Sequence, residues 1–181
     1  MTTSADAVRY TVLPAESAVL AELRSSVGDI SFGATDIIGE FVGVVLGGEI
    51  DVSTPPRAAL VVPVGALTSG GALHDDEMRR RLDAQRHPTV AAELLTAEPI
   101  GPGRYAVTGN LTIRGRTRRQ SAMVEIDVDP NIAGIVVTGR LTIDIREFGV
   151  SVPRVLMLRV QPDVTVSFHI TVSRASANEE A

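Results

Sequence analysis

The sequence predicts an all-β fold, an antiparallel barrel of about eight strands with one or two short helices, the size at which a closed barrel holds one small ligand. Three observations predict it. Apolar and polar residues alternate with a period of two through long stretches. Glycines such as Gly39, Gly43, Gly109 and Gly139 fall within or beside those stretches, where glycine marks bulges and barrel corners. Only one segment breaks into helical spacing. The 181 residues fit one domain of this class, expected over 8–173 with short polar tails at 1–7 and 174–181.

Taken in order, strands are expected at 8–13, 17–26, 39–52 and 57–65, with Gly47–Gly48 an ordinary turn. The spacing then predicts a helix over Leu73–Gln85. Met78 and Leu82 stand one turn apart, Asp75, Asp76 and Glu77 open it, and Arg79, Arg80, Arg81 and Arg86 sit toward its end, which complements the helix dipole. Pro88 stops it. Adjacent helical residues point apart, so Asp75 and Asp76 are read as capping the start rather than sharing a proton. A single helix beside a barrel suits the closing of one end.

A further strand is expected at 89–97, and four clean alternations follow. Tyr105–Ile113 carries Tyr105, Val107, Gly109, Leu111 and Ile113 on one face. Gln120–Val128 carries Ala122, Val124, Ile126 and Val128. Ile135–Ile145 carries Ile135, Val137, Gly139, Leu141, Ile143 and Ile145, and the last strand carries Val164, Val166, Phe168, Ile170 and Val172. Strands with one polar face read as an antiparallel meander, half solvated and half packed.

Hydrophobic residues make up 44% of the chain but aromatics only 3%, so aliphatic side chains must line or fill the interior. A net charge of -5 argues against general nucleic-acid affinity, and the absence of cysteine excludes disulfides and thiolate chemistry. His74, His87 and His169 fall on separate elements, so no metal site is read from them, and no nucleophile elbow, Walker loop or dinucleotide fingerprint is present. No catalytic residue is assigned. Arg114, Arg116, Arg118 and Arg119 form one basic run without interleaved aromatics. It is either a solvated hairpin end or a place where Arg forks meet a phosphate.

Three stretches resemble the YceI-like family of polyisoprenoid-binding proteins. They are Leu67-Thr68-Ser69-Gly70 with Asp75, Met78, Leu82, His87-Pro88 and Thr89; Val107 to Arg118 with its Gly-Asn-Leu-Thr-Ile-Arg-Gly-Arg-Thr hairpin; and Gly139 to Ile143 with Arg146-Glu147-Phe148-Gly149-Val150. Gly39-Glu40-Phe41 adds a weaker match. The resemblance implies a lipocalin-like, extended eight-stranded barrel with a long apolar tunnel, a bound isoprenoid such as a quinone or polyprenyl phosphate, no required cofactor, and a homodimer. Three positions depart from the family pattern: Glu16 precedes Ser17 where His is usual, Arg81-Leu82 replace paired aromatics, and Ala92 replaces Phe.

The expected function is carriage or sequestration of an isoprenoid or similar long apolar lipid. Candidates for the tunnel lining are Phe41, Leu60, Val62, Met78, Leu82, Leu111, Ile113, Val124, Ile143, Phe148, Val166 and Phe168, and for the headgroup Arg114, Arg116, Arg118 and Arg146. The same apolar residues would equally fill a solid core. Two alternatives stand beside the carrier: a ligand-free structural or stress-related interaction module, and an enzyme acting on an apolar substrate, motivated by Glu16 and Ala92. The amino terminus shows no secretory pattern, so a cytoplasmic location without stable membrane insertion is expected.

Overall fold

The structure, a computed structural model, describes residues 5–152, 154–155 and 158–174. The first half of the chain forms β1 (Val8–Val12), β2 (Ala18–Ser25), β3 (Ile30–Ala34), β4 (Ile38–Leu46), β5 (Glu49–Asp51) and β6 (Arg57–Pro63), followed by helix α1 (Ala72–Arg81). Then come β7 (Thr89–Gly101), β8 (Arg104–Ile113), β9 (Arg116–Asp129) and β10 (Gly134–Asp144). A 3₁₀ turn at Ile145–Phe148 leads to β11 (Arg154–Val155) and β12 (Leu158–Arg174).

The strands close into an eight-strand antiparallel barrel. β4, β6, β7, β8, β9, β10 and β12 follow one another around the wall. One edge of β12 pairs first with β2, from Val160↔Ser25 to His169↔Ala18, and then with β1, from Val12↔Val172 to Tyr10↔Arg174. β1 and β2 thus act as one strand broken at Leu13–Ser17. The break is held by Ser17, 4% exposed, whose hydroxyl donates to the Leu13 carbonyl at 2.8 Å and accepts from the Thr171 N–H at 3.0 Å. The main-chain groups freed by the break are therefore paired inside the wall.

The alternation read from sequence becomes inward and outward faces, because successive side chains of a strand point to opposite sides. One end of the interior is packed by Tyr10, Ile37, Ile50, Tyr105, Val124, Ile135, Ile170 and Val172. Burying each such aliphatic or aromatic side chain is worth about 1.5–3 kcal/mol. Tyr105 is 1% exposed, and its hydroxyl accepts the Ile50 N–H at 3.0 Å, pinning the small β5 hairpin across this end. Toward the other end lie Phe148, Val150, Ile143, Ile113 and Val164, with Phe32, Ala34 and Leu67 beside them.

Several boundaries differ from the sequence reading. The expected strand 39–52 is two strands, because Gly47 and Gly48 turn the chain with φ of 60° and 82°. β3, short and flanked by turns, was not predicted; it pairs with β2 and touches Thr68 across the mouth. α1 stops at Arg81 rather than Gln85, since Asp83 takes a left-handed φ of 50°. β9 and β12 extend beyond their predicted spans, and β12 carries an irregularity between Val160 and Val164, around Pro162, which has no N–H for the ladder. Of the expected tails, 1–4 and 175–181 lie outside the described residues, residues 5–7 carry no regular structure, and Arg174 ends β12.

Candidate functional site

Between the packed end and α1 the barrel encloses a cavity of about 680 Å³, within the range usual for small-molecule sites. Its wall is aliphatic, and room is made by small residues. Ala92, Ala97, Gly109 and Ala122 all face inward on β7, β8 and β9. On the opposite wall Phe168 lies over Gly139, whose missing side chain accommodates the ring: a Cβ there would fall 2.4 Å from Phe168 Cζ.

The structure brings eleven of the twelve predicted lining residues to this cavity: Phe41, Leu60, Val62, Met78, Leu82, Leu111, Ile113, Val124, Ile143, Val166 and Phe168. Phe148 is not among them. It is fully buried behind the wall, packed with Ile143, Val150 and Val164, because the 3₁₀ turn points its ring under the chain. Sequence reasoning missed Val19, Ala21, Leu23 and Phe32 of β2 and β3, and the small residues that create the space. A scan for Ala and Gly at inward positions would have found the latter. Glu16 sits on an exposed turn away from the cavity, so it supplies no acid or base there.

At the α1 end the lining becomes polar, with His74, Glu77, Arg80, Arg81 and Ser151. Asp75, 7% exposed, anchors α1 in place. Rather than capping the helix, where Gly71 is the N-cap residue, its carboxylate accepts the Ser69 N–H, the Ser69 hydroxyl and the Thr68 hydroxyl, each at 2.7 Å. The Ser69 N–H, then the two hydroxyls, lower its pKa to about 2. Arg81 donates to the Ser151 carbonyl and hydroxyl, both at 2.8 Å, and to Glu77 at 2.6 Å. Arg80 pairs with the other Glu77 oxygen, and Arg80, then Arg81, hold the Glu77 carboxyl below its usual range.

The predicted headgroup arginines separate. Arg114 opens the β8–β9 turn, donates to the Gly149 carbonyl, and shares with Arg80, Arg81 and Ser151 a second pocket of about 340 Å³. Arg116 and Arg118 oppose Ile113 and Leu111 and so share their side of β9, but both are exposed there and neither lines either pocket. Among the described residues the β9–β10 ladder ends at Arg140↔Met123, and the Arg116 guanidinium lies beside Gly149. Arg146 instead binds Asp144 at 2.6 Å on an exposed face, and neither lines the two pockets. Among the described residues no group of three or more His, Asp or Glu side chains could hold a metal ion. His169 is exposed on β12.

Comparison with known proteins agrees with this architecture. A model of the YceI-like domain matches residues 10–172. The fold is similar to that of BcnA from Burkholderia cenocepacia, with a TM-score of 0.74 at 20% identity over 88% of this chain and 98% of that one. It is similar to a polyisoprenoid-binding domain from Saccharophagus degradans implicated in plant cell wall breakdown, with a TM-score of 0.70 at 11% identity over 93% and 99% of the two chains. The YceI protein of Campylobacter jejuni is more distant, at a TM-score of 0.59 and 14% identity over 75% and 82%. No curated protein matches the chain in sequence.

Proposed function

The chain belongs to the YceI-like family, and from that membership and the cavity we propose that it binds a long, apolar, isoprenoid-type lipid inside the barrel and carries or sequesters it. One observation supports this above the others: the interior holds about 680 Å³ of space walled by aliphatic side chains, where a ligand-free module would gain by filling it. β8, ten residues long, spans about 33 Å at strand rise, or about 25 Å along the axis of a barrel with typical tilt. Such a space suits a chain rather than a compact molecule. Each methylene buried contributes about 0.8 kcal/mol without any polar contact. The enzyme alternative has less support, because Glu77, the lining carboxylate of α1, has a lowered pKa and is held by Arg80 and Arg81.

The same reading takes 8–173 as one barrel domain, working as a homodimer in the cytoplasm. No helix of the described residues is long and apolar enough to cross a membrane. Native mass spectrometry of freshly purified protein, followed by organic extraction, tests the proposal. A bound species of prenyl-like mass is expected. A clean apo mass that does not shift when prenyl alcohols, quinones or prenyl phosphates are added would remove the carrier reading and leave the fold intact.

A further inference from the structure

Three guanidinium groups converge where the apolar cavity ends. Arg80 and Arg81 come from the last turn of α1, and Arg114 comes from the β8–β9 turn, with β7 and β8 between them in the chain. They line one pocket with Ser151. Arg80, Arg81 and Ser151 also line the apolar cavity, so the two spaces adjoin at these side chains. Such a junction of a long aliphatic wall with a cationic pocket is the shape of a site for a molecule with an apolar tail and a charged head.

The charge is not cancelled within the protein. Glu77 is the carboxylate that pairs with both Arg80 and Arg81, and no ion pair of Arg114 occurs among the described residues. Arg81 is fixed by Ser151 and Glu77, its side chain 20% exposed, while Arg80 is 74% exposed and able to turn toward an incoming anion. The Ser151 hydroxyl accepts from Arg81 and so keeps its own proton to donate. Arg114 is held in the left-handed region, φ 51°, ahead of Gly115 at φ 70°. A two-residue turn of this kind favours Asn at that position, and a long cationic side chain there gains nothing for the turn itself. Forked guanidinium groups match the paired oxygens of phosphate or carboxylate.

Resting on the carrier reading above, we infer that the ligand is an anionic amphiphile, its tail in the barrel and its phosphate or carboxylate head held by Arg80, Arg81, Arg114 and Ser151. A neutral quinone ring would leave Arg114 without a counter-ion and Glu77 as the one carboxylate shared by Arg80 and Arg81. The preference for an anion belongs to the mouth and is separable from tail binding.

The test uses three probes with one tail: geranylgeranyl monophosphate, geranylgeranoic acid and geranylgeraniol, titrated by isothermal calorimetry at low and high salt. At low salt at least one anion should bind about tenfold or more tighter than the alcohol, with the gap narrowing in high salt; the phosphate-to-acid ratio then identifies the head. Arg114→Asn, which suits the turn, and Arg80→Gln should each weaken the anion far more than the alcohol and so erase most of that gap. Arg104→Gln, at the far end of β8, should change nothing. Equal affinities for all three probes, or variants that weaken alcohol and anion alike, would overturn the headgroup assignment with the carrier reading still standing. Binding of none of the three would overturn both.

Discussion

Ala92→Phe distinguishes a cavity from a packed core by the sign of its effect. Ala92 faces inward on β7 between Leu60 of β6 and Leu111 of β8, and all three line the cavity. A phenyl ring placed there enters space that is empty of protein atoms. Full burial of a Phe side chain is worth about 1.5–3 kcal/mol, and subtracting its lost rotamer freedom leaves a stabilisation of about 1 kcal/mol. In a solid core the same substitution would cost about 1–3 kcal/mol through overpacking. The ring also takes the place of roughly four methylenes of a bound chain, about 3 kcal/mol, so lipid affinity should fall by about two orders of magnitude. Urea unfolding at constant m-value reads the first effect, and calorimetric titration with geranylgeraniol reads the second. Destabilisation by 1–3 kcal/mol would refute the cavity argument. Stabilisation with unchanged affinity would mean that the chain does not pass Ala92.

Three further outcomes are expected. Tyr105→Phe deprives the Ile50 N–H of its acceptor at the packed end and should cost about 1–2 kcal/mol, lowering Tm by about 3–8 °C in a calorimetric scan; an unchanged Tm would show that the β5 hairpin does not need this bond. Gly139→Ala drives a Cβ into Phe168 and should destabilise the barrel by about 1–3 kcal/mol; adding Phe168→Leu should recover part of that loss, and strict additivity would contradict the contact. Asp75 has a folded-state pKa of about 2 against an ordinary 3.8, so its ionised form contributes stability that is fully present above the ordinary value and is lost as pH falls toward the folded one. Thermal unfolding followed by circular dichroism from pH 7 down to 2 should therefore show a shallower acid decline for Asp75→Asn than for the unsubstituted chain, and parallel curves would refute the tether.

How much of this was legible beforehand differs between wall and mouth. The inward set on β8, Tyr105 to Ile113 in steps of two, is a local property, since a strand sends alternate side chains to opposite faces whatever its neighbours do. The same holds for β9, β10 and the end of β12, and the Gly47–Gly48 turn was legible from its residue types. Phe148 was not, because a 3₁₀ turn abandons the period of two and sends the ring behind the wall. β3 was not, because five residues with glycine among them offer little alternation to count.

The arginines show the limit most clearly. In sequence Arg79, Arg80 and Arg81 read as partners for the end of a helix, and Arg114 to Arg119 as one cluster. In the fold the cluster divides, with Arg114 at the mouth beside Arg80 and Arg81, and Arg116 laid against Gly149. Which charges meet depends on where Asp75 tethers α1 and on the point at which β9 leaves β10, both long-range facts. The sequence by itself thus determined the family, the barrel and the face each strand residue takes, because those follow from patterns a few residues long. Only the tertiary structure decided that the faces enclose space instead of meeting, because that space is set by tilt, register and side-chain volume summed around all eight strands.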